Sequence, residues 1–536
     1  MARGVDRLCL GAVMALGGFL RVYQIGGKGL WLDEAYSIWL GWQPVGEMLS
    51  WLVRIDQHPP LYYLLLHFWM ALGDDPATVR ALSALCGTLT IPAIYLLGRR
   101  LADGRIGLLA ALILAVSPFH VRFAQETRMY TLLALNASLA LYALVCLLDR
   151  VSGCNVSSSR LDKRETHGPD LAWLSYVFFT AATLLTHNAA VFLPVATNIL
   201  VLGLFLVRVS GYKVPGFRLG DCETSNLKPE TRFLRNWLLA QAGVFLLWSP
   251  WLPAFVVQSV GVYREFWLPA PTWGTVVGAV GAFVSDFLPL PPVGAYAVGM
   301  LYAGLALLGL IHLRRRPVCI AFLLVIFTTP FVGEWLVSLR RPIFYDRTLI
   351  WASLPLYLLL AAGVLQLRRW PYVLAVILMI LTFNGLSLCE YYVHFEKEQW
   401  DDAAAFVAER VEPNDLILFN ATWTQIPFDY YFRRMYNRPV AEHGVPVDLF
   451  DRGVLEPKMT VDDLPHLRAL VQGHERVWLV YSHDWYTDPQ GLIPPALEEE
   501  LDLLDRWDFY GLQVWLYGVG CEKKSPNLTH QAKWKS

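Results

Sequence analysis

Eleven stretches of this chain are apolar for long enough to cross a lipid bilayer, and they leave little room for any other architecture. They fall near residues 7–25, 79–98, 106–121, 129–148, 171–187, 189–207, 236–255, 292–312, 317–337, 347–366 and 371–388. A helix of about 20 residues spans the hydrocarbon core and satisfies its own backbone polar groups where no water can. Composition agrees. Of the 536 residues 55% are hydrophobic, and the charged share of 17% is below the ~25% usual in soluble domains. The chain is thus predicted to be a polytopic α-helical membrane protein.

A further run, His58 to Gly73, is apolar but short and opens on Pro59-Pro60. It reads either as a half-inserted helix or as a twelfth crossing, and the basic residues decide. If it does not cross, one side collects Arg3 and Arg7, then Arg99, Arg100 and Arg105, then the 150–170 and 208–235 loops. Arg314 to Arg316, Arg368 and Arg369 fall on the same side. A twelfth crossing would scatter them, so the positive-inside rule selects eleven spans. The amino terminus is then cytoplasmic, and everything after Leu388 is extracytoplasmic. The run Leu8 to Leu20 follows two arginines as in a signal peptide, but no small-x-small cleavage site follows it. It is read as a retained first helix.

Eight cysteines without a CxxC pair give neither a disulfide framework nor a structural zinc site. No clustered basic face with a reading motif is present, which argues against a nucleic-acid partner. From about Glu390 the composition becomes that of a soluble domain. The chain therefore divides into a membrane domain, 1–389, with its first outer loop at 26–80, and an extracytoplasmic α/β domain, 390–536. Trp400, Ala404, Val407 and Val411 recur at helical spacing. Leu416 to Phe419, Val477 to Tyr481 and Val514 to Tyr517 read as strands, and Pro495 to Asp505 as a helix. No glycine-rich loop follows the first strand, so a nucleotide site there is not expected.

Trp31-Leu32-Asp33-Glu34 places two adjacent carboxylates where the first span leaves the membrane. Desolvating them is costly. They are either a solvated pair in a loop or a reactive site. Other groups share their side of the membrane. His58 is fixed at the interface by the diproline, and Asp56-x-His58 is a candidate metal pair, a divalent cation being the one cofactor considered. Gln125 to Tyr130 brings Arg128 and Tyr130, and Thr186-His187-Asn188 interrupts two apolar runs. Arg340, Arg341 and Arg347 form a further outer cluster. Arg122 fits snorkelling to lipid headgroups. Carboxylates beside dispersed Arg and His suit a reaction in which a lipid-linked phosphate leaves while an acceptor hydroxyl is deprotonated.

The ordered set Trp31-Leu32-Asp33-Glu34-Ala35, Asp56-x-His58-Pro59-Pro60, Ser117-Pro118-Phe119-His120, Gln125 to Tyr130, Thr186-His187 and Arg341-Pro342 with Arg347 resembles the GT-C superfamily of membrane glycosyltransferases. Within it the pattern is similar to the family-39 group of protein O-mannosyltransferases and lipid A aminoarabinose transferases. The resemblance implies a polyprenyl-phosphate sugar donor, inversion at the anomeric carbon and Asp33 as base, with Glu34 in a supporting or metal-contacting role. His58, Arg128, Tyr130, His187 and Arg347 would bind the donor phosphate and sugar. The aminoarabinose group has lysine where this chain has His58, which puts a titratable group in place of a fixed charge. The large carbohydrate-binding insert of eukaryotic O-mannosyltransferases is absent, so the acceptor is left open among envelope lipid, glycan and protein. The alternative from another class is a multi-span transporter or lipid flippase. Such proteins place ionisable groups near the midplane, whereas here they gather at one face.

Overall fold

The computed structural model describes residues 2–56, 58–152, 169–209, 229–261, 269–449, 451–452 and 457–519. Most of the 150–170 and 208–235 loops lies outside the described residues. The chain forms two compact units. One comprises Met1–Ile25, Gln57–Gly73 and Ala77–Phe395; the other comprises Gly26–Asp56, Asp74–Pro76 and Glu396–Ser536. The second unit therefore contains most of the first outer loop. The last membrane helix runs through Val393, so the change of unit falls a little later than the change in composition.

In the membrane unit all eleven apolar runs are helical. Among the described residues eight helices are long and apolar enough to cross, and nine if the bent pair Gly104–Val116 and Pro118–Ala124 is one span. Two of the eleven expected spans fall short of that standard. Helix Ala2–Val22 carries Arg3, Asp6, Arg7 and Arg21, and the apolar helix Leu171–Leu184 is too short. The His58–Gly73 run forms only the short helix Leu61–Leu72. A further apolar helix, Trp273–Ser285, precedes the span Pro292–Leu313.

The bent pair follows from Ser117-Pro118. Proline occupies the first turn of the second helix, and the Ser117 hydroxyl caps it by accepting the His120 N–H at 3.4 Å. The two segments meet at 60°. Carbonyls left over at the first segment's carboxyl end need donors. Fully buried Arg21 supplies them, reaching Ala115 O at 3.0 Å and Leu114 O at 3.2 Å. Gln125 in turn donates to Arg21 O and Tyr23 O, at 3.2 and 2.7 Å, and so caps the first helix. Helices Pro292–Leu313 and Ser353–Gln366 lie against each other at paired glycines. A Cβ on Gly363 would run into the Leu305 carbonyl, and one on Gly309 into the Leu359 carbonyl.

The second unit holds a five-stranded sheet in the order β2-β1-β3-β5-β4. Its strands are β1 (Leu416–Asn420), β2 (Ala441–Gly444), β3 (Arg476–Tyr481), β4 (Asp502–Phe509) and β5 (Leu512–Gly518). The first three are parallel, and β5 runs antiparallel to both its neighbours, β3 and β4. Successive strand residues feed opposite faces. Leu416, Leu418, Val477 and Leu479 pack with Leu467 and Ile493 on one side, while Ile417, Phe419, Trp478 and Val480 pack with Trp400, Val407, Phe428 and Phe432 on the other. Three of the strands match the sequence reading. The helix expected over 495–505 does not: helix Ile493–Glu498 ends and β4 begins at Asp502.

Candidate active-site residues

In the membrane unit the cationic residues singled out from the sequence converge. The diproline leads into helix Leu61–Trp69, whose first N–H donates to Leu185 O at 3.0 Å. That bond ties His58's neighbourhood to the turn bearing His187, and the two imidazoles stand edge to face with centroids 5.4 Å apart. His187 caps the short helix Asn188–Val191, its Nδ1 accepting the Ala189 N–H at 3.1 Å. His58, Arg128 and Arg347 all stand close enough to His187 to act on it electrostatically.

Tyr130 is buried at the start of helix Tyr130–Ser152, 6.2 Å from the His187 ring. The Arg347 guanidinium lies over Tyr130 and Tyr345, 5.4 and 4.4 Å from their centroids. Arg347 opens a 3₁₀ segment, Asp346–Ala352, anchored by Thr348, whose hydroxyl lies 2.8 and 2.9 Å from the two oxygens of buried Glu334. Arg128 is buried and held through its backbone. The Ser83 hydroxyl donates to its carbonyl at 3.0 Å, and Thr131 reaches back to Ser83 O at 2.9 Å. Its guanidinium faces Tyr63 Oη at 3.5 Å.

The carboxylates belong to the second unit. Asp33 and Glu34 lie in the first turn of helix Leu32–Trp42, against the positive end of its dipole. They differ sharply. Asp33 is half-buried, and its carbonyl accepts the Ser37 hydroxyl at 2.8 Å. Glu34 is fully buried and pairs with Lys397 Nζ at 2.7 Å. Asp56, also buried, ends the loop after helix Val45–Arg54. The loop rests on helix Gln425–Met435: Trp42 stacks on Tyr430, whose hydroxyl donates to Asp74 O at 2.7 Å, and the Leu30 N–H donates to Tyr431 Oη at 2.7 Å.

Comparison with known proteins adds the fold. Residues 57–154 match the family model of dolichyl-phosphate-mannose-protein mannosyltransferases. A search of curated proteins finds no match. Among solved structures, ArnT from Cupriavidus metallidurans in the apo state is similar at a TM-score of 0.61 and 12% identity, over 96% of this chain and 98% of that one. The same protein bound to undecaprenyl phosphate matches at 0.60, with the same identity and coverage. The apo oligosaccharyltransferase of Archaeoglobus fulgidus matches at 0.54 and 12% identity, over 98% of this chain and 75% of that one. The chain has the GT-C fold.

On this GT-C scaffold the sequence-derived residues sort by unit: His58, Arg128, Tyr130, His187 and Arg347 in one, Asp33, Glu34 and Asp56 in the other. Among the described residues no three His, Cys, Asp or Glu side chains gather closely enough to hold a metal ion. The Asp56–His58 pair alone does not make a three-ligand protein site. Arg122 is not a snorkelling residue. Its guanidinium pairs with Glu126 at 3.5 Å and Asp286 at 3.7 Å and packs over Phe123, Phe287 and Phe395. Asp286 escaped notice because its partner is distant in sequence. Burial, against the pull of Arg122, raises its pKa from 3.8 to about 6. Ser83, Glu334 and Lys397 were also missed, since a lone polar residue in or beside an apolar run carries no periodic signal.

Proposed function

We propose that this protein moves a sugar from a polyprenyl-phosphate donor to an acceptor in the cell envelope. The observation that carries the reading is the gathering of His58, Arg128, Arg347 and Tyr130 about His187 in the membrane unit. The charge-assisted hydrogen bonds that arginine makes suit a phosphate monoester or diester as the ligand of such a cluster. The ArnT structure with undecaprenyl phosphate supports a lipid phosphate as that anion. The donor's bond between the anomeric carbon and the phosphate oxygen breaks, and its electron pair leaves with the polyprenyl phosphate. An acceptor hydroxyl oxygen attacks from the opposite face, which inverts the centre. Asp33 takes the acceptor's proton as general base. Arg128, Arg347 and the histidine N–H groups offset charge growing on the phosphate oxygens. The reaction runs on the extracytoplasmic face, and the sugar is a hexose or pentose. The acceptor class is an envelope lipid, glycan or protein.

The test is an assay of the purified protein with radiolabelled polyprenyl-phosphate sugars and a cell-envelope extract, alongside Asp33→Asn. The expected result is transfer by the wild type and a loss of at least about a hundredfold in the variant, the scale of a missing general base. Undiminished transfer by Asp33→Asn would remove the base assignment. No transfer from any such donor would return the protein to the transporter reading.

A further inference from the structure

The segment bearing Asp33 is attached to the carboxyl-terminal part of its own unit at four successive points. At Gly29 an added Cβ would sit 3.1 Å from Asp401 Oδ1, so the backbone lies directly against that carboxylate. The Leu30 N–H donates to Tyr431 Oη at 2.7 Å, and the Leu32 N–H to Glu398 Oε2 at 3.2 Å. Glu34 pairs with Lys397 Nζ at 2.7 Å, their side chains 0% and 3% exposed. Asp33 lies between the last two attachments.

Glu398 is itself held. Trp400 Nε1 donates to its Oε2 at 2.6 Å, and His483 Nε2 lies 3.5 Å from Oε1. His483 Nδ1 contacts the Ser482 hydroxyl at 2.9 Å, immediately after β3. In open α/β sheets ligands settle beyond the carboxyl ends of parallel strands, where neighbouring connections diverge. Strands β1 and β3 provide such a point. Through Glu398 and His483, the backbone leading into Asp33 is hung from this end of the sheet. A buried ion pair adds little net stability over apolar packing of the same shape, but it fixes register strongly.

We propose that Lys397 and Glu398 are positioning residues for the Asp33 carboxylate. Lys397 acts through Glu34, and Glu398 through the Leu32 backbone. The proposal rests on the reading of Asp33 as base. It assigns Glu34 to anchoring the helix turn rather than to proton transfer.

The test uses the full-length protein in detergent, with thermal unfolding, kcat and donor KM measured for each variant. The double variant Glu34→Gln/Lys397→Met removes both charges without orphaning either. It should unfold near the wild-type temperature, keep its donor KM and lose about 10- to 100-fold in kcat, the cost of misplacing a reactive group by about 1 Å. Unchanged kcat in the folded double variant would overturn the proposal. Should that variant not fold, Lys397→Arg keeps the charge and alters the reach, with the same expected split between kcat and KM. A cycle with Asp33→Asn provides the second readout. A residue acting through Asp33 costs nothing further once Asp33 is gone, whereas a general structural defect costs the same factor in both backgrounds. If Asp33→Asn is itself fully active, the base reading fails. If Asp33→Asn is inactive and the Lys397 variants are unimpaired, only the positioning proposal fails.

Discussion

His187 Nδ1 accepts the Ala189 amide at 3.1 Å, so the ring carries its proton on Nε2. One nitrogen holds the turn, and the other is left as a hydrogen-bond donor. Asparagine keeps a capping acceptor and loses that Nε2 donor. His187→Asn should therefore retain the wild-type thermal midpoint while donor KM rises about tenfold, the equivalent of one hydrogen bond of ~1.4 kcal/mol. An unchanged KM would restrict His187 to the cap. Thr348 is the complementary case, a residue whose value lies in what it holds. Thr348→Val withdraws the hydroxyl from both oxygens of buried Glu334, at a cost of about 2 kcal/mol. Thermal unfolding should show the loss, and Thr348→Ser should recover most of it. At this scale the sequence supplies candidates where chemistry is unusual in its setting, as with adjacent carboxylates at a membrane exit. It was silent about pairing: Glu34 and Lys397 are 363 residues apart, and nothing local in either marks the other.

Helices were legible because bilayer thickness imposes their length, and the buried strands because all five residues of β1 are covered. Strand β4 was not. It is an edge strand, largely exposed, and a register break between Leu503 and Asp505 interrupts its alternation. Only Trp507 and Phe509 show the two-residue period, packing on Phe406. The glycines of the helix pair 292–313 and 353–366 likewise looked unremarkable in an apolar run, yet they set its closest approach. Gly363→Leu should lower the unfolding temperature in detergent by several degrees, and Gly385→Leu, at a position with open space around it, should not. Helix Gln425–Met435 and strand β2 meet at another hidden contact. Asp429 and Glu442 share Arg433, which pairs with both. Burial, then Glu442, raises the Asp429 pKa from 3.8 to about 7. Between those values the folded state holds a proton that the unfolded chain has released, so stability falls as pH rises from about 4 to about 7. Urea unfolding monitored on the carboxyl-terminal unit should show that decline in the full-length protein, and Asp429→Asn should flatten it.

Across the whole molecule the prediction concerns orientation. We propose from the distribution of Lys and Arg that the amino terminus is cytoplasmic, so a reporter fused after Leu388 should be accessible only from outside the cell. Accessibility from the cytoplasm would overturn the assignment. The resemblance in six short motifs proved a sound guide to the fold, because their order reflects the order of the loops they occupy. It could not show that the chain's compact units cut across that order. Residues Gly26–Asp56 fold with Glu396 and beyond, and this has a consequence for biosynthesis. The loop emerges early, with Leu30, Ala35, Ile38, Leu40 and Met48 destined for burial, while the surface that receives its attachments has not been made. At ordinary rates of translation the interval is on the order of half a minute. During that time the loop is an exposed apolar segment that a chaperone or a neighbouring chain can engage. A nascent chain halted before Glu396 would insert its helices and leave the Asp33 turn unassembled, so the attachments of that turn form only with the last quarter of synthesis.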